Sequence, residues 1–170
     1  MIAAVLALAA CAPVSTDPVD PVVAPDGMSF AVDASLDPVE AAPLRAALTR
    51  VAARWAKATC LPITVADEAA NVVTMRDRST MHDGAMGRTE GQWDAVVVKA
   101  ARGYDLVPVL LHELGHSLGR TNDHAEIYTD AEGVEHAGFA AYTHENAHIT
   151  ANDLALVCER RACECFQPEA

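Results

Sequence analysis

Two histidines one helical turn apart, set in an otherwise apolar run, constrain this chain more than any other feature. His112 and His116 bracket Glu113, while Val107, Leu111, Leu114 and Leu118 recur at helical spacing around them. The stripe predicts a helix with one buried face, and the histidine pair on the opposite face would line a cleft wall. Asp105 can cap this helix, Pro108 falls at its third position, and Gly119 suits a left-handed end. Two imidazoles spaced i, i+4 can reach one Zn²⁺ as neutral ligands. Glu113, turned ~100° around the helix from His112, can take a proton from a water and later deliver it to a leaving amine.

The remainder reads as one domain with the motif near its middle. At 170 residues the chain suffices for one sizeable core and is short for two. Phe30-Ala31-Val32-Asp33 is a candidate first strand. Asp37, Pro38 and Glu40 form a helix start, and Leu44, Leu48, Val51 and Trp55 give that helix a face to lay on a sheet. Pro62 predicts its end near Cys60. Ile63–Val65, Asn71–Met75 and Trp93–Ala100 read as strands, and polar residues 76–92, with Gly84, Gly87 and Gly91, as a loop forming a turn-rich rim. Those glycines lack the Lys-Ser/Thr of a phosphate loop. Thr150 with Asp153 predicts a capping box opening a last helix, whose inner face carries Leu154, Val157 and Cys158.

Residues 1–10 contain no charged side chain and resemble the apolar part of an export signal. Leu8-Ala9-Ala10-Cys11 resembles a bacterial lipobox, although no Lys or Arg precedes it. That resemblance implies cleavage before Cys11 and a lipid on the new N-terminus, with plain secretion as the alternative. Residues 11–27, with four prolines, then form an anchor and flexible tether, and 28–170 the folded domain. The expected location is extracytoplasmic, in a bacterial cell envelope. Four further cysteines, Cys60, Cys158, Cys163 and Cys165, permit two disulfides in any of three pairings, at least one tying the tail back. A second zinc site in the tail is the rival reading of Cys163 and Cys165. Formal net charge of -12, with no basic patch longer than Arg160-Arg161, excludes nucleic acid as the expected partner.

The run His112-Glu113-Leu114-Gly115-His116-Ser117-Leu118-Gly119 resembles the zinc helix of metzincins, especially matrixin-like peptidases. Trp55, the strand at 93–98 and Ile149-Thr150-Ala151-Asn152-Asp153-Leu154 extend the resemblance over roughly residues 28–158. It implies an α/β catalytic domain: a twisted mixed sheet, an N-terminal backing helix, the zinc-motif helix and a C-terminal helix. It also implies a zinc-dependent endopeptidase whose peptide or protein substrate lies along an exposed sheet edge. Asn122 stands where the family has its third ligand, and Asp123 and His124 follow directly. The expected metal set is therefore His112, His116 and His124, with Asp123 as the alternative and Glu113 as the catalytic acid/base.

The family's methionine below the zinc is also missing, with Ala141 near its position and Tyr142 beside it as a candidate for the oxyanion. These departures give weight to a rival class, a catalytically inactive envelope or binding protein that keeps the metzincin shell. A small-molecule zinc hydrolase is a third class and would need a closed pocket. Tyr128 reads as packing, and Trp93 and Tyr104 as walls of substrate subsites. His136, His144 and His148 read as surface residues, with a second metal site near Asp130, Glu132, Glu135 and Glu145 as their alternative, and His82 reads as a surface residue.

Overall fold

A computed structural model describes residues 28–81, 86–92, 95–119, 127–129, 135–137, 148–161 and 163–169. The export-type segment, Cys11 and the tether lie outside them. The chain runs β1 (Met28–Val32), α1 (Pro38–Thr59), β2 (Ile63–Ala66), β3 (Asn71–Arg76), a 3₁₀ turn at Arg78–Thr80, β4 (Gly87–Gln92) and β5 (Ala95–Ala101). It continues through α2 (Leu106–Gly119), β6 (Ile127–Thr129), β7 (Glu135–Ala137) and α3 (Ala151–Arg160). This is a mixed α/β fold. No helix among the described residues is long and apolar enough to cross a membrane.

Helix α1 begins as its sequence dictates. The Asp37 carboxylate accepts from the Val39 N–H at 2.8 Å, and Pro38 fills the first position, where no N–H is needed. Leu44, Leu48, Val51 and Trp55 are fully buried. The helix ends at Cys60, which takes the left-handed conformation (φ 55°, ψ 17°) usually reserved for glycine. Pro62 follows, and Met28 N–H reaches back to Pro62 O at 2.9 Å as β2 comes alongside β1.

Five strands form one sheet in the order β2-β1-β3-β5-β4. The first four are parallel and β4 is antiparallel to β5. Strand β4 was not anticipated: its polar Gly-Arg-Thr-Glu-Gly-Gln reads as loop, because an edge strand needs no apolar residue on its outer face. There Arg88 and Lys99 both pair with Glu90. The inner face is set by register. Val32 opposes Val73, Val73 opposes Val98, and Val98 opposes Thr89, so one row crosses four strands and ends in a hydroxyl. Strand β5 starts at Ala95, two residues later than expected, and Trp93 lies outside the described residues. The two-stranded β6–β7 sheet was also unforeseen.

Helix α1 packs on β1, β2 and β3, α2 on β4 and β5, and the two helices touch. Phe30, Leu48, Trp55, Val98, Leu110, Leu114 and Leu154 belong to the shared core. Thr150 and Asp153 exchange side-chain and backbone hydrogen bonds as the capping box of α3. Leu154 and Val157 are fully buried, and Cys158 is half-buried.

Of the three disulfide pairings, the fold realises Cys60–Cys165 and Cys158–Cys163. All four sulfurs are thereby consumed, which removes the tail as a second zinc site. The tail is strapped along α1: Cys165 N–H donates to Thr59 O and Gln167 N–H to Ala58 O. The Glu169 carboxylate forms a two-pronged pair with Arg54 and accepts the Ile149 N–H at 2.8 Å.

Candidate metal centre

Helix α2 is held at its start, middle and end. The Asp105 carboxylate accepts from Val107 N–H at 3.1 Å. The Trp55 indole N–H, from α1, donates to Leu111 O at 3.0 Å, one residue before His112. The Arg161 guanidinium, just after α3, donates to Leu118 O at 2.8 Å. The expected stripe is present, but the opposite face is not an open wall. Every residue from Pro108 to Leu118 is buried, because β4, β5, α1 and α3 surround the helix.

His112 and His116 are 2 % and 6 % exposed, and their Nε2 atoms stand 2.9 Å apart. The rings meet edge to face with centroids at 4.6 Å. Without an ion, one imidazole must donate its proton to the lone pair of the other. Two nitrogens ~2.05 Å from a zinc ion at a tetrahedral angle would stand ~3.3 Å apart. The observed separation is within a few tenths of an ångström of that, so small ring rotations suffice. The pair fits a transition-metal ion as two of its ligands. Asn122, Asp123 and His124 lie outside the described residues, and among the described residues no group of three His, Cys, Asp or Glu side chains is placed to hold a metal.

Glu113 is equally buried. Its Oε2 accepts from Thr89 Oγ1 at 2.8 Å, and the same hydroxyl lies 2.9 Å from Glu113 O. Ser117 Oγ donates to that carbonyl at 3.1 Å. Burial pushes the Glu113 carboxyl up to about 7, against the opposing pull of the Thr89 hydrogen bond and the Arg88 charge. A carboxyl that titrates near neutrality is suited to both taking and giving a proton.

The edge strand approaches this carboxylate through a gap that only glycine leaves. A Cβ on Gly87 would fall 2.5 Å from Glu113 Oε1, 2.7 Å from its Cγ and 2.8 Å from Val109 Cγ1. Gly87 thus permits close backbone approach, and Thr89, two residues on, supplies the hydroxyl. Sequence reasoning placed both in a glycine-rich rim. The Gly-x-Thr spacing carries no signal until β4 is known to face Glu113.

Tyr104 is half-buried, with the Arg78 guanidinium over its ring at 5.4 Å. His148 is exposed just before α3. His136 and Glu135 lie on β7 and Tyr128 on β6, with Tyr128 opposite His136 in register. His82, Asp130, Glu132, Ala141, Tyr142, His144 and Glu145 lie outside the described residues. No protein-family model matches the chain, and no curated protein matches it.

Proposed function

We propose that this chain is a zinc-dependent endopeptidase of metzincin-like, matrixin-like type, exported and held at the cell envelope through lipid on Cys11. One observation carries the reading: two buried Nε2 atoms converge to 2.9 Å on a helix whose adjacent Glu113 is also buried. His112 and His116 would hold the ion, with His124 or Asp123 completing the set. Zinc, when bound, would supply a Lewis acid that acidifies a water and polarises a scissile carbonyl.

The remaining work falls to this chain's own groups. Thr89 holds Glu113 Oε2, which leaves Oε1 to accept the proton of the attacking water and return it to the leaving amine. Thr89 also limits rotation of the carboxylate, so the proton acceptor is in position before substrate arrives. Strand β4 is the last strand of its sheet, and its outer edge offers backbone N–H and C=O groups to an extended peptide. Both disulfides support an oxidising compartment outside the cytoplasm.

Zinc content and peptide hydrolysis, measured on the full chain, test this reading. Glu113→Gln should keep one zinc per chain and lose turnover by ~100-fold or more. His112→Ala should lose the metal as well. Hydrolysis by Glu113→Gln at the native rate would remove Glu113 from the chemistry, and a native chain without zinc would remove the whole assignment.

A further inference from the structure

The end of the metal helix and the smaller disulfide ring meet in one side chain. After α3, Arg161 leaves helical geometry at φ -126°, ψ 133°, with its N–H on Val157 O. Cys163 N–H then donates to Arg161 O at 2.7 Å. The Cys158–Cys163 bond closes this turn covalently across five positions, so the backbone of Arg161 is fixed from both sides. Its guanidinium enters the interior, where the residue is only 4 % exposed. Nε donates to Leu118 O at 2.8 Å, and Nη2 lies 3.2 Å from Met28 Sδ at the start of β1. The last carbonyls of a helix lack intrahelical partners and carry the negative end of its dipole. Leu118 O is such a carbonyl, two residues past His116.

We infer that Arg161 is a positioning residue for the metal pair, and that the Cys158–Cys163 bond acts on the metal through it. The bond fixes Arg161, Arg161 fixes the last turn of α2, and that turn sets how His116 approaches His112. This inference rests on the zinc reading above. A disulfide serving only global stability would act on unfolding alone. This one is joined to the ligand helix by a hydrogen bond, and so it sets metal affinity in the folded protein.

The test uses the full chain and zinc ion in competition with a chromophoric chelator. The C158S/C163S variant leaves no thiol there to bind zinc, and R161M removes the donor while keeping bulk. Each should bind zinc about tenfold more weakly, as changes to groups supporting metal ligands commonly do. The combined variant should also lose about tenfold, and not the hundredfold of independent effects. R161K, which keeps a charge and a donor, should recover part of the loss, and it supplies the same comparison should R161M fail to fold. As a control, C60S/C165S should lower the melting temperature with zinc affinity unchanged. Native affinity in C158S/C163S, or additive losses in the combined variant, would overturn the inference alone. A native chain that binds no zinc would remove it together with the reading beneath it.

Discussion

Gly87→Ala adds a single methyl group where β4 crosses Glu113, and its consequence can be worked out from three distances. The new carbon would sit 2.5 Å from Glu113 Oε1, 2.7 Å from Glu113 Cγ and 2.8 Å from Val109 Cγ1. Carbon atoms rest at ~3.5–4.0 Å, so about 1 Å must be found between β4 and α2. Neither side yields easily: Glu113 and Val109 are buried, and β4 is hydrogen-bonded along β5. Overpacking of this kind costs ~1–3 kcal/mol, which for a domain of this size lowers the melting temperature by ~2–12 °C. On the proposed reading, in which Glu113 is the proton acceptor, the larger effect would fall on turnover, because displacing a reacting group by ~1 Å costs ~100-fold. Thermal melting by circular dichroism, zinc content and peptide hydrolysis should be measured together. Zinc should remain, since the three atoms nearest the new methyl belong to Glu113 and Val109 and to neither histidine, while kcat falls about 100-fold. Gly103→Ala is the matched control. Gly103 has φ 85° and nothing within 4 Å of a Cβ, so it should lose ~1 kcal/mol to backbone strain and leave turnover intact. A Gly87→Ala protein that melts within a degree of native and turns over within about twofold would refute the close-approach argument.

Thr89→Val keeps the shape and removes the hydroxyl held against Glu113 Oε2, so kcat should fall about tenfold, the equivalent of ~1.4 kcal/mol, with zinc retained; unchanged kcat would dismiss Thr89 as an orienting group. Removing the Cys60–Cys165 bond, whose ends are 105 residues apart, should cost ~4–5 kcal/mol and lower the melting temperature by ~10–20 °C; a shift below ~3 °C would contradict the loop-entropy argument. Acid should weaken the tail strap. Burial opposes the charge of Glu169, but the hydrogen bonds from Arg54 and Ile149 N–H outweigh it and hold the carboxyl below its ordinary value. Its contribution is therefore complete above ~pH 4.3 and fades as pH falls through the lower folded value. The gap in urea midpoint between the native chain and Glu169→Gln should be widest near pH 7 and close at more acidic pH, and a constant gap would reverse the assignment.

The helices were legible because their signals are local. Asp37-Pro38 and the Thr150–Asp153 box are chemistry between near neighbours, and Leu44, Leu48, Val51 and Trp55 declare a face by spacing alone. The parallel strands announced themselves through runs such as Val96-Val97-Val98. Strand β4 did not, since its pairing with β5 comes from the backbone and its inner residues answer to a helix that lies later in the chain. Arg161 was misleading for a related reason. Beside Arg160 it looked like half of a small basic patch, yet it turns inward to a carbonyl 43 positions away. The histidine pair was legible from i, i+4 spacing. Its burial was not, because that depends on β4, β5, α1 and α3 closing around α2.

The two cysteine bonds are nested, Cys158–Cys163 lying inside the span of Cys60–Cys165. On the proposed export route, with Cys11 lipidated, an oxidant acting on the other thiols in order of emergence would join Cys60 to Cys158, which is the wrong partner. The correct arrangement requires that Cys60 stay reduced until more than a hundred further residues have arrived, or that an isomerase undo the first mistake. Were the chain exported as proposed, its native form would therefore place a demand on the thiol-shuffling machinery of the receiving compartment that a chain with side-by-side pairs would not.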